Sequence, residues 1–134
     1  MSDRDTRHKA SMEKLKARVE EKVASANEQR GLIIVNTGNG KGKTTAAWGT
    51  VTRALGYGYK VGVVQFITYM LKFGYLEIES VKQALENRPQ EQTVIITGRN
   101  AHRELVAMAD TVTEMQEVRH AFNNGLQARR GIDF

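Results

Sequence analysis

The chain contains no cysteine among its 134 residues. Disulfides, thiolate metal sites and a cysteine nucleophile are therefore excluded, and nothing in the sequence indicates an oxidising compartment. No apolar run approaches the roughly 18 residues that a membrane span needs, and the charged N-terminus does not resemble a signal peptide. These absences predict a cytoplasmic protein that does not enter a membrane.

Charge is nearly balanced, because 20 Lys and Arg residues against 15 Asp and Glu residues give a formal net charge of +5. This mild basicity can help attract a polyanion such as ATP, and it does not by itself indicate nucleic acid. The four tyrosines do not alternate with basic residues, so no stacking platform for nucleic acid is predicted. The length is that of a single small domain.

Residues 31–45 are the most informative stretch of the sequence. The apolar, mostly β-branched run at 32–35 has the composition of a buried parallel strand. A glycine-rich turn at 38–42 follows, and residues 43–55 are compatible with a helix that Gly56 would end. A strand, a glycine-rich turn and a helix in this order predict a phosphate-binding loop.

The loop pattern assigns a role to each of its residues. Backbone N–H groups of 38–43 would converge on phosphate oxygens, Lys43 would reach the outer phosphates, and Thr44 would offer a hydroxyl to a divalent metal. The usual pattern begins with a glycine where this chain has Thr37, so Gly38 and Gly40 are expected to supply the flexibility. The alternative is a surface turn that happens to contain lysines, and the order of elements favours a nucleoside triphosphate site. The predicted phosphate-binding residues are Gly38, Asn39, Gly40, Lys41, Gly42, Lys43, Thr44 and Thr45.

Apolar periodicity predicts the rest of the fold. Strands are expected near 32–36, 60–67, 93–97 and 112–118, with helices near 78–87 and 102–109, which indicates a three-layer α/β/α domain with a mostly parallel sheet. A further helix is expected over 9–27 and carries a narrow apolar stripe. The stripe could dock on its own domain, a second subunit or a bound ligand, and a solvated arm is an equal alternative. We predict two units: an N-terminal helical arm, 1–30, and a nucleotide-binding α/β domain, 31–134.

Several single residues near the predicted sheet edge are weaker candidates. Arg99 follows a strand at the edge where α/β proteins bind ligands, and a surface arginine is an equal alternative. His102 opens a helix and is expected to be a polar first-turn residue rather than a catalyst. Asp110 and Asp133 are isolated in the sequence, so no metal is assigned to either.

Several blocks of the chain, taken together, resemble the P-loop corrinoid adenosyltransferases, the cob(I)yrinic acid a,c-diamide adenosyltransferase family. The phosphate loop alone would identify only a superfamily, and the C-terminal blocks are typical of the family. The resemblance implies a P-loop NTPase-like (RecA-like) fold. The matching blocks are 37–47, 61–67, 92–99, 102–103, 109–112, 120–122 and 131–134.

The resemblance implies transfer of the 5′-deoxyadenosyl group of ATP to a Co(I) corrinoid, with release of triphosphate. Lys41 and Lys43 would stabilise the departing triphosphate, and Thr44 would ligate Mg²⁺ or Mn²⁺. The resemblance also implies a flavoprotein reductase that supplies Co(I), and a homodimer. The alternatives are a non-catalytic ATP-binding module and a generic P-loop ATPase or kinase.

The chain departs from the family pattern at one point. The family has a long central segment where Ile67 is joined directly to Thr68 here. The absent block would carry an Asp-Glu pair that holds the metal opposite Thr44, and aromatic residues that crowd one face of the corrin. The sequence is consistent with a true internal deletion and also with a segment that was skipped when the sequence was recorded. Either way the α/β domain is internally shortened, and we expect its activity to be impaired.

Overall fold

A computed structural model describes residues 3–63 and 69–132. The regular elements alternate between helix and strand over much of the chain, as the periodicity predicted. In chain order they are α1 (Asp3–Ser25), β1 (Ile33–Thr37), α2 (Lys43–Gly56), α3 (Tyr69–Lys72), α4 (Ile78–Glu86), β2 (Val94–Thr97), α5 (Arg103–Met108), β3 (Thr111–Glu114) and a 3₁₀ helix (Ala121–Asn124).

The three strands form one parallel sheet in the order β2-β1-β3. Ile33 of β1 is opposite Val94 of β2, and Ile34 is opposite Thr111 of β3. Because all three strands run in the same direction, their carboxyl ends share one edge of the sheet. The turn after β1 therefore lies beside the segments that follow β2 and β3.

Helices cover both faces of the sheet. Ile33 packs with Leu85 of α4 and Leu105 of α5. Asn36 points to the opposite face, because side chains alternate along a strand, and there its amide donates a hydrogen bond to the Lys43 carbonyl at the start of α2, at 3.4 Å. This is the α/β arrangement with flanking helices that the sequence predicted.

The core of the described chain is small. Its buried apolar residues are Ile33, Val35, Leu85 and Leu105, and Val35 is completely buried. Partly buried apolar side chains from α3, α4 and β2 complete the cluster on the α4–α5 face. Helix α2 contributes no buried residue, and its Trp48 is 51% exposed. The face of the sheet that carries the loop helix is therefore the less protected one.

An ion pair joins the chain just before β1 to the chain just before β3. The Arg30 guanidinium donates two hydrogen bonds to the Asp110 carboxylate, one of them from Nη1 at 2.8 Å. The same carboxylate accepts the Ile33 N–H at 2.8 Å. These contacts hold the pKa of Asp110 well below its ordinary range, first through the Arg30 hydrogen bond and then through the Ile33 N–H. Asp110 therefore connects the chain before β1 and the start of β1 to the chain before β3.

We expect Asp110→Asn to lower the melting temperature at neutral pH, because the variant loses the charge that pairs with Arg30. Since folding lowers the Asp110 pKa below its ordinary value of 3.8, the stabilisation is fully present above that pH and is lost as the pH falls through the folded-state value. The difference in melting temperature between wild type and variant should therefore be constant from neutral pH to about pH 5 and become smaller in stronger acid. Glu117→Gln, at an exposed carboxylate outside this network, is the control, and a gap that stays unchanged in acid would contradict the assignment.

Two expectations about the fold need correction. A strand was expected over 60–67, but residues 60–63 are irregular, and 64–67 lie outside the described residues. The expected fourth strand is shorter than predicted and ends at Glu114, while the short helix α3 was not predicted. A strand requires a neighbouring strand to hydrogen-bond with, and the local apolar pattern does not specify that neighbour.

Helix α1 begins earlier and ends slightly earlier than the expected 9–27. Its apolar stripe is not buried on the rest of the described chain, because every member is more than half exposed: Met12, Leu15, Val19 and Val23. Docking on its own domain is therefore not observed.

In the described part of the chain, no helix combines the length and the apolar character that crossing a membrane requires.

Candidate functional site

The glycine-rich turn links the end of β1 to the start of α2. Gly38 has φ 97° and Gly42 has φ 105°, a left-handed conformation that favours glycine. Gly42 is the N-cap of α2, and no side chain caps the helix there. The first N–H groups of α2 therefore have no side-chain acceptor, and together with the helix dipole they form a place suited to an anion.

The segment that follows β3 packs closely against this turn. A Cβ added to Gly38 would lie 2.3 Å from the Met115 carbonyl oxygen, and one added to Gly40 would lie 2.7 Å from the Gln116 carbonyl carbon. The Gly40 N–H donates to the Met115 carbonyl at 2.7 Å. These two glycines therefore permit a close backbone approach, in addition to the flexibility expected of them. The Gly40 N–H can bind phosphate only if it leaves Met115.

We expect Gly40→Ala to lower the stability of the fold by about 1–3 kcal/mol, since a methyl group there forces the loop away from Gln116. Gly49→Ala is the matched control: it lies in α2, and an added Cβ there meets nothing within 4 Å. Chemical denaturation of both variants measures the difference. If Gly40→Ala unfolds at the same denaturant concentration as wild type, the close approach is not a constraint.

Thr37 has a structural reason to replace the first glycine of the usual pattern. Its hydroxyl accepts the Ala101 N–H at 3.0 Å, and its carbonyl oxygen accepts the Met115 N–H at 2.9 Å. One residue thus connects the start of the loop to the segments that follow β2 and β3. The sequence pattern did not reveal this role, because both partners are distant in the chain.

Lys43, the first residue of α2, is hydrogen-bonded both to the loop and to β1. Its Nζ donates to the Gly40 carbonyl at 2.5 Å, and its own carbonyl accepts from the Asn36 amide. Asn36 is 6% exposed, the one buried polar side chain among the described residues, and sequence reasoning missed it. A polar residue at the end of an otherwise apolar strand was the available signal.

A cavity of about 440 Å³ opens where the loop meets α2, a volume within the range of small-molecule sites. Two lysines and two threonine hydroxyls line it, a donor-rich set suited to a polyphosphate. The predicted residues Gly38, Asn39 and Gly40 are not in its lining, and Ile132 is an addition that sequence reasoning missed. The lining residues are Lys41, Gly42, Lys43, Thr44, Thr45 and Ile132.

The described residues offer little for a metal ion. They contain no group of three or more His, Asp or Glu side chains that could hold one. The Thr44 hydroxyl is a single oxygen donor, and Mg²⁺ sites of this kind usually combine such a donor with a carboxylate, phosphate oxygens and water. Metal binding at Thr44 therefore stays a prediction.

The remaining candidates have structural roles or are exposed. The Nδ1 atom of His102 accepts the Glu104 N–H at 3.3 Å, so His102 caps α5, as expected for a polar first-turn residue. Arg99 is exposed in the turn after β2. Asp133 lies outside the described residues.

A second, smaller cavity of about 90 Å³ shares Lys41 with the first, and its other walls come from residues 120–128.

Comparisons with known proteins identify the family to which the sequence is similar. The family model described as ATP:corrinoid adenosyltransferase BtuR/CobO/CobP matches residues 29–68 and 67–134. The corrinoid adenosyltransferase of Escherichia coli (strain K12) is 38% identical over 194 aligned positions, which cover 97% of this chain and 99% of the relative. Corrinoid adenosyltransferase CobA of Salmonella typhimurium (strain LT2) has the same identity and coverage. The corrinoid adenosyltransferase of Pseudomonas aeruginosa is 34% identical over 198 positions, with 98% of each chain covered.

The alignments also locate the difference in length. They extend over 194 positions although this chain has 134 residues, so a block of the relatives' sequence has no counterpart here. The two segments of the family match meet at residues 67–68. This is the junction at which the sequence departs from the family pattern.

Proposed function

The chain belongs to the ATP:corrinoid adenosyltransferase family, and from this membership we propose that it transfers the 5′-deoxyadenosyl group of ATP to a Co(I) corrinoid. In this reaction a cobalt–carbon bond forms at C5′, the bond from C5′ to the triphosphate oxygen breaks, and inorganic triphosphate leaves. The observation that carries the proposal is the cationic cavity at the glycine-rich loop between β1 and α2.

The residues of the cavity have the chemistry that a departing triphosphate requires. Lys41 and Lys43 would balance its growing negative charge, and the uncapped N–H groups at the start of α2 would hold its oxygens. The Lys43 ammonium now bonded to the Gly40 carbonyl would exchange that acceptor for a phosphate oxygen. Thr44 would hold Mg²⁺ or Mn²⁺ together with phosphate oxygens, and the ion would add positive charge where the leaving group forms.

No side chain needs to act as the nucleophile, because Co(I) is itself a very strong one. The protein must align cobalt with C5′ and exclude water, which are tasks of positioning rather than of acid–base chemistry. Phosphoryl transfer would instead require a group that positions a nucleophile at the γ-phosphate. The described residues that line the cavity include no such carboxylate, glutamine or histidine, and this favours adenosyl transfer over a generic ATPase or kinase.

We also propose the wider context that the family resemblance implies. A flavoprotein reductase would supply the Co(I) state, the protein would work as a homodimer, and the reaction would take place in the cytoplasm. Because the block between Ile67 and Thr68 is absent, the shortened chain would catalyse the reaction poorly. The second candidate function, binding of ATP without turnover, is favoured because the described residues contain no group of three or more His, Asp or Glu side chains that could hold a metal ion.

The reaction products distinguish these functions. The purified chain is incubated without oxygen with ATP, Mg²⁺ or Mn²⁺ and chemically reduced cobalamin. Adenosylcobalamin together with inorganic triphosphate supports the proposal, whereas ADP identifies phosphoryl chemistry. Bound ATP without any product, even after prolonged incubation, identifies a binding module.

A further inference from the structure

The C-terminal part of the described chain returns to the phosphate loop. Among the described residues that line the main cavity, Ile132 is the one that does not come from 41–45. Gly131 precedes it with φ 81°, a left-handed conformation suited to glycine, and the Ile132 N–H donates to the Arg129 carbonyl at 3.1 Å. A tight turn therefore presents Ile132 at the cavity.

Ile132 differs in chemistry from the rest of this lining. The other side chains carry positive charges or hydroxyl groups, whereas Ile132 is aliphatic and 80% exposed. An aliphatic group cannot donate a hydrogen bond to a phosphate or balance its charge, and it gains free energy only by covering apolar surface. The part of a ligand that meets Ile132 should therefore carry C–H or aromatic surface.

We propose that Ile132 is a substrate-binding residue that packs against the adenosine half of ATP while residues 41–45 hold the triphosphate. The inference rests on the proposed function, because that function makes ATP the ligand. Base and ribose both present apolar surface, and the triphosphate presents none. Ile132 thus contributes to recognition of the nucleoside and not of the anion.

A second cavity shows that the same C-terminal segment also borders the loop at Lys41. It shares Lys41 with the main cavity, and its remaining walls come from residues 120–128 of the same C-terminal segment. Its lining is mostly apolar, in contrast to the phosphate loop. Apolar surface next to the cationic loop is therefore supplied by the chain after β3.

The test compares ATP with inorganic triphosphate, in the presence of Mg²⁺, by titration calorimetry on the full chain. Ile132→Ala should weaken ATP binding about tenfold, because it removes aliphatic surface that the nucleoside would cover. Its affinity for inorganic triphosphate should be unchanged. Val118→Ala is the matched control, since Val118 is an aliphatic residue of the same segment, 93% exposed and outside both cavity linings. The control should bind both ligands as wild type does.

Three results would overturn the inference. Ile132→Ala could bind ATP as wild type does, it could weaken ATP and triphosphate equally, or the unaltered chain could fail to bind ATP. An equal loss would mean that the C-terminal segment shapes the phosphate loop. The proposed function fails in a different way: selective weakening of ATP by Ile132→Ala, without formation of adenosylcobalamin, would leave the nucleoside contact standing and reject only the transferase activity.

Discussion

In the anaerobic assay with reduced cobalamin, ATP and Mn²⁺, we expect the 134-residue chain to form adenosylcobalamin at least about 100-fold more slowly than the full-length Escherichia coli relative. The site retains the glycine-rich loop, but Thr44 would be a single protein donor for the metal, and the described residues contain no group of three or more His, Asp or Glu side chains that could hold an ion. According to the family resemblance, the absent block also supplies the aromatic wall on the cobalt side. Misplacement of the reacting atoms by about 1 Å can cost a factor of this size.

The matched control is a chimera in which the relative's central block is inserted between Ile67 and Thr68. Its turnover should approach that of the relative, because the loop, α2 and the C-terminal segment are already present. Turnover of the unaltered chain close to that of the relative would show that the absent block is dispensable. Nucleotide affinity is measured in parallel, so that loss of binding is separated from loss of catalysis.

Replacement of Lys43 by alanine should weaken ATP binding by about 1.5–3 kcal/mol, or about 10- to 150-fold, because a charge-assisted contact to the phosphates is lost. Lys43 lies in the cavity lining, and its ammonium is already directed at the loop carbonyl of Gly40. Inorganic triphosphate should lose affinity to a similar extent, since the contact involves only the phosphates. Titration calorimetry with both ligands measures the two losses.

Lys60→Ala is the control for charge alone, because Lys60 is exposed and lies outside the cavity lining. It removes the same formal charge and should change ATP affinity little, since salt screens an exposed charge that does not contact the ligand. If Lys43→Ala binds ATP as tightly as wild type, the assignment of the loop is wrong. An equal loss in both lysine variants would show that net charge, and not the loop, attracts the nucleotide.

The loop itself could be predicted because the information is local. The β-branched residues 33–35 lie in β1, and the glycine-rich turn is followed by α2 beginning at Lys43. Backbone conformation and apolar periodicity depend on residues that are close in sequence, so a pattern of fifteen residues contains them. The same applies to α4 and α5, whose bounds differ from the expected ones by a residue.

Several features could not be predicted because they depend on contacts between distant segments. Thr37 departs from the usual loop pattern, which has glycine at this position, yet its hydroxyl accepts a hydrogen bond from the Ala101 N–H. The sequence showed Asp110 only as an isolated aspartate to which no metal was assigned, yet it pairs with Arg30 across 80 positions of sequence. In each case a short polar side chain forms a hydrogen bond with a group that becomes its neighbour only when the parallel strands align.

By itself the sequence determined the order of strand, loop and helix, the family, and the point at which the family's central block is absent. The tertiary structure decided three features: the Gly40 N–H is hydrogen-bonded to the Met115 carbonyl, the apolar stripe of α1 stays exposed, and Ile132 lines the cavity at the glycine-rich loop. The reason is physical: φ and ψ preferences and side-chain periodicity act within a few residues, whereas burial and close approach depend on which segments pack together.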